Sequence, residues 1–122
     1  MRIRNYQQII ERSAYDVYRQ LGTGLEKNAY HEALVLRLLQ TGLGIDEQGN
    51  YTLVYDEKII NVNQATVLQV QTVMKQELKK YEELKFVNHL TRQKIEVGYI
   101  VDFSTQMMIK KKYRSDRLIQ IN

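Results

Sequence analysis

An α/β fold built on one mixed β-sheet flanked by helices is what this sequence predicts, and three observations lead there. Apolar residues recur at helical spacing in three long segments. Short β-branched and aromatic runs lie between and after them. Glycines or short polar stretches stand at most of the junctions. The 122 residues, 43% apolar and 26% charged, suit a single domain over 1–122, too short for two cores and too apolar for disorder.

The first helix is expected over 5–21, where Ile9, Ile10, Ser13, Val17 and Leu21 keep a helical repeat and Gly22-Thr23-Gly24 ends it. A second is expected over 25–40, with Ala33, Leu34, Leu36, Leu38 and Leu39 as a broad apolar face closed by Gly42 and Gly44. Strands follow over 51–55, 58–62 and 66–73, with Asp56-Glu57 as a hairpin turn and Asn63-Gln64-Ala65 as the next turn. Leu78, Tyr81, Leu84 and Val87 return to helical period over 75–90. Two strands over 96–103 and 106–113 complete an α-α-β-β-β-α-β-β order without internal repeat or linker.

Composition narrows the chemistry. With no cysteine, neither a disulfide framework nor a thiolate metal site can form. No signal-type apolar run follows Met1, and 33–39, the longest apolar stretch, is interrupted by Arg37. A soluble, intracellular protein that does not engage membranes is the expectation. The net charge of +4 is a mild pull toward polyanions.

Two blocks carry a family resemblance. The first holds Val17, Leu21-Gly22-Thr23-Gly24-Leu25, Tyr30, Ala33-Leu34 and Gly42-Leu43. The second holds Asn88-His89-Leu90 and Val97-Gly98-Tyr99-Ile100-Val101-Asp102-Phe103. In both, the chain resembles the GxxExxY branch of the PD-(D/E)xK nuclease-like proteins. That branch opens with a helix ending in Leu-Gly-x-Gly-Leu, continues into a helix with Tyr-x-x-Ala-Leu, and later carries Asn-Tyr-Leu and Val-Gly-Leu-Leu-Ile-Asn-Phe. Between the blocks, residues 59–73 lie without gaps on the family's metal-site hairpin.

The resemblance implies phosphodiester hydrolysis with a divalent metal, which needs hard oxygen ligands. The family supplies a glutamate on the second helix, an aspartate on one strand, and a glutamate and lysine two residues apart on the next. In this sequence those positions fall on Lys27, Ile59, Gln69 and Gln71. Every expected charged ligand is replaced, and the local charge moves toward positive. No metal, no cofactor and no nuclease activity are therefore expected. Glu26, beside Lys27, points about 100° away around the helix and is a poor substitute.

Other candidates have blander readings. Glu77-Leu78-Lys79 and Glu83-Leu84-Lys85 spell E-x-K, but on a helix their ends diverge, so both read as solvated helix surface. His31 and His89 read as exposed or core-edge residues. Tyr15, Tyr18 and Tyr30 read as packing residues ahead of base-stacking platforms. Lys110, Lys112 and Arg114 alternate along the last strand. Together with Lys27 they are the candidate contacts of an inactive, non-sequence-specific nucleic-acid-binding module. The same lysines equally suit an edge strand protected from aggregation. A homo-oligomeric assembly protein is the alternative, and a nuclease with a rebuilt site a more distant one.

Overall fold

The computed structural model describes residues 5–48, 51–55, 67–74, 80–104 and 107–120. Its elements are α1 (Tyr6–Leu21), α2 (Lys27–Gln40), β1 (Gly44–Gln48), β2 (Tyr51–Tyr55), β3 (Val67–Val73), α3 (Lys80–Gln93), β4 (Val97–Asp102) and β5 (Met108–Tyr113). The sheet runs β1-β2-β3-β4-β5. Every neighbouring pair is antiparallel except β3 and β4, which are parallel. Parallel neighbours need a crossover, and α3 lies within that connection.

Strand alternation divides the sheet into two faces. Val54 of β2, Leu68 and Val70 of β3, and Tyr99 and Val101 of β4 join Ile10, Ala14, Val17, Tyr30, Leu34 and Leu38 in one core, so α1 and α2 cover this face. Ile100 and Val73 join Phe86, Leu90 and Ile95 on the other face, under α3, with Tyr51 and Leu53 packed at its margin. Each fully buried aliphatic or aromatic side chain here contributes about 1.5–3 kcal/mol through apolar area withdrawn from water.

Local chemistry sets the element ends. The Asn5 side chain caps α1 by accepting from the Gln8 amide at 3.0 Å. Gly22, at φ 70°, turns the chain out of α1, and its N–H donates to the Tyr18 carbonyl at 2.8 Å. On β4, a Cβ at Gly98 would lie 2.6 Å from Phe86 Cζ, so only glycine admits α3 this close to the sheet. The chain end is pinned to α3 by Asn88, which donates to the Ile119 carbonyl and accepts from the Ile119 amide, both at 2.7 Å.

The α-α-β-β-β-α-β-β order agrees with the sequence expectation, but its first hairpin is made differently. β2 pairs with β1, at Gly44–Gln48, a segment whose residue pattern does not predict a strand. The expected strand over 58–62 and its Asp56-Glu57 turn lie outside the described residues. β1 escapes a propensity reading because it is glycine-led and polar, with Ile45 its one apolar anchor in the core. Such a strand suits a sheet edge, where charge and brevity discourage further pairing. Among the described residues, no helix is long and apolar enough to cross a membrane.

Candidate functional site

The turn between α1 and α2 is organised by Tyr30. Its hydroxyl donates to the Gly22 carbonyl at 2.7 Å and accepts from the Leu25 amide at 3.2 Å. Its ring is fully buried and stacks on Phe103, centroids 4.9 Å apart. Gly22 and Gly24 both hold positive φ, which lets the turn close on that hydroxyl. The start of α2 is thereby fixed relative to the sheet.

One turn into α2, His31 joins the helix to two strands. Its Nδ1 lies 2.9 Å from Thr72 Oγ1 on β3, and its Nε2 lies 2.9 Å from Thr52 Oγ1 on β2. Both threonines are buried. A neutral imidazole donates from one nitrogen and accepts at the other, and a hydroxyl serves either role. Lys27 lies four residues before His31, on the same stripe of α2. The sheet positions of β3 facing α2 are thus Leu68, Val70 and Thr72, with Thr52 and Val54 beside them on β2.

Gln69 and Gln71 occupy the opposite face. As strand period requires, they share one side of β3 and Leu68 and Val70 the other. That side is the one under α3: His89 Nε2 donates to Gln69 Oε1 at 3.2 Å, and the imidazole stacks on Tyr51 with centroids 4.1 Å apart. Burial, with a smaller contribution from Arg92, holds the His89 pKa below its ordinary value. Burial, followed by the Glu82 charge, pushes the Tyr51 phenol up. Gln69 and Gln71 therefore do not converge with Lys27, and Ile59 lies outside the described residues. The physical reason is parity: a shift of one residue along a strand exchanges the faces.

The basic residues of the last strand are engaged. Lys110 Nζ lies 3.0 Å from Glu83 Oε2 and Lys112 Nζ lies 2.6 Å from Glu83 Oε1. Arg114 Nε lies 3.4 Å from Glu96 Oε2. The hydrogen bonds from Lys112 and then Lys110 hold the Glu83 carboxyl below its usual range. Lys110 and Lys112 lie opposite Ile100 and Gly98 on the face under α3, whereas Lys27 belongs to α2 on the other face. The four cations do not form one patch. Glu83-Leu84-Lys85 lies on α3, its glutamate turned to β5 and Lys85 beside Glu82 and over the Tyr81 ring.

Among the described residues, no three His, Asp or Glu side chains gather closely enough to hold a metal ion. The polar side chains shown to join α2 to β2 and β3, among the described residues, are the His31 imidazole and the Thr52 and Thr72 hydroxyls, with Lys27 one turn earlier on α2. That donor set does not fit magnesium, which takes carboxylate and water oxygens. Sequence reasoning missed this network. Its trace was a histidine four residues after Lys27 and single threonines in two strand-like runs.

Residues 4–115 match the family described as the PD-(D/E)XK nuclease superfamily. The mixed sheet, its helices and their order are consistent with that fold. Comparison with curated proteins finds no match.

Proposed function

We propose that this chain, which belongs to the PD-(D/E)XK nuclease superfamily, keeps the nuclease fold without metal-dependent hydrolysis and serves as a nucleic-acid-binding module that reads no sequence. The observation that carries this reading is the junction of α2, β2 and β3. There His31 hydrogen-bonds to Thr52 and Thr72, with Lys27 on the same helical stripe. A cation favours a phosphate and disfavours a magnesium ion. The net charge of +4 acts in the same direction at longer range.

Incubation with single-stranded and duplex DNA, with magnesium or manganese, tests the first half of the proposal. The expected result is intact DNA at every metal concentration. Cleavage that depends on metal and disappears in a Thr52→Ala/Thr72→Ala variant would overturn it. Fluorescence anisotropy at low salt tests the second half, with weak binding that fades as salt rises.

A second reading rests on a separate observation. Leu36 and Leu39 are 62% and 46% exposed and lie three residues apart on the outer side of α2. This is the kind of paired apolar surface that self-association covers. Light scattering behind size exclusion, with and without DNA, separates an assembly protein from a monomeric binder.

A further inference from the structure

The solvent side of α1 carries a stripe that the function proposed above leaves unused. Arg12, Tyr15 and Arg19 follow one another at helical spacings of three and four, so they lie along one line of the helix. Tyr15 is 53% exposed, and the Arg19 guanidinium sits 5.7 Å from its ring centroid. Among the described residues, neither Arg12 nor Arg19 has an ion pair. Asp16, the carboxylate between them, is already neutralised: Arg37 donates to its Oδ2 from Nη2 at 2.7 Å and from Nε at 3.2 Å. Among the described residues that line the grooves beside this stripe, Glu11 is the other acidic side chain, and it accepts from Gln7 Nε2 at 3.1 Å.

Grooves run along both sides of the stripe and meet at Asp16. On one side, Tyr15 faces Met107 and Ile109 across a groove of about 510 Å³. On the other, two smaller grooves of about 280 Å³ each are walled by Arg37, with Arg19 and Gln20 in one and Arg12 and Gln40 in the other. The first has an aromatic and aliphatic wall with Glu11, Arg12 and Asp16 at it; the others carry arginine and glutamine around Asp16, with Ile9, Ser13 and Thr41 added in the second of them. An unpaired nucleotide has the same two-sidedness, an apolar π-face joined to an anionic phosphate.

We infer that α1 binds single-stranded nucleic acid along this stripe. Phosphates lie on Arg12 and Arg19, and a base lies against Tyr15 and the Met107–Ile109 wall. The inference rests on the nucleic-acid-binding reading and deepens it by naming the strand type and the surface. Arg12 and Arg19 are seven residues apart, about 10 Å along the helix axis, and bracket the ring. Duplex DNA hides its base faces within the stack and gains nothing from Tyr15. With about two phosphate contacts, the logarithm of affinity falls by roughly 1.4 for each tenfold rise in salt.

The test is anisotropy of a short fluorescent oligo-dT at low salt, with a hairpin duplex and polyglutamate as competitors. The variants are Tyr15→Ala, the pair Arg12→Gln/Arg19→Gln, and Lys85→Gln/Arg92→Gln as a control on α3. All substituted side chains lie on the surface or its margin, and thermal melting checks that each variant folds. Expected are a loss of about tenfold for Tyr15→Ala, near abolition for the arginine pair, little change for the control, and weak competition by duplex and polyglutamate. If wild type binds the oligonucleotide and the α1 variants bind equally well, the α1 site is wrong while the nucleic-acid-binding reading stands. Displacement by polyglutamate as effective as by oligo-dT would make this a surface for acidic peptides and overturn the inference. If wild type binds neither DNA, the broader reading fails with it.

Discussion

Tyr30 shows how one side chain can have two separable roles. Its ring fills the core against Phe103, while its hydroxyl joins the Gly22 carbonyl to the Leu25 amide. Tyr30→Phe keeps the ring and removes both hydrogen bonds, leaving backbone groups unpaired. A loss of about 1–3 kcal/mol in denaturant unfolding is expected, with an unchanged m-value. A second residue-scale expectation concerns His89, which packs against Tyr51, accepts burial, and feels Arg92. Its folded-state pKa is lower than its ordinary value of about 6.5, so the unfolded chain binds the proton more readily. Stability is full above that ordinary value and is lost as pH falls through the lower folded one. Melting scans across this range should show the slope in wild type and a reduced slope in His89→Gln. Equal slopes in the two proteins would assign the effect to other groups.

Between elements, α3 meets the sheet at Gly98 and at Glu83, and the two contacts differ in kind. The first is steric. Gly98→Ala would place a methyl group 2.6 Å from Phe86 Cζ and 2.9 Å from Leu90 Cδ2, both in a filled core, so a loss of about 1–3 kcal/mol is expected from chemical denaturation. The second is electrostatic: Glu83 holds Lys110 and Lys112 on β5. Glu83→Gln releases both lysines, and the salt dependence of any duplex binding should steepen by about 1.8 logarithmic units per decade of salt. An unchanged slope would mean that these lysines serve only the sheet edge. These elements also show what the sequence could and could not disclose. α1, α2 and α3 were legible because helical period runs through them, and β3 and β4 because their runs are β-branched and apolar. β1 was not legible, since glycine and acidic residues form a strand only beside a partner. For the site, the turn around Tyr30 could be read. The face of β3 that meets α2 could not. Gln69 and Thr72 differ there by phase alone, and tertiary packing sets the phase.

For the molecule as a whole, the test of the proposed loss of metal binding is linkage between metal and folding. An ion that binds only the native state stabilises it by an amount that grows with the logarithm of concentration, about 2.7 kcal/mol at one hundred times Kd. A working nuclease site built from carboxylates shows this twice, because bringing those acids together destabilises the metal-free protein and the metal then restores it. Under the proposed reading, the junction of α2 with β2 and β3 has no such repulsion to relieve. His31 ties α2 to β2 and β3 through its hydrogen bonds with Thr52 and Thr72, and Lys27 lies one turn earlier on the helix. The melting temperature should therefore be the same in EDTA, magnesium and manganese at matched ionic strength. His31→Ala should lower it in all three, because two buried hydroxyls lose their shared partner at about 1–3 kcal/mol each. A melting temperature that climbs with manganese in wild type, and stays flat in His31→Ala, would show that the imidazole is a ligand after all and would return this chain to the metal-dependent members of its superfamily.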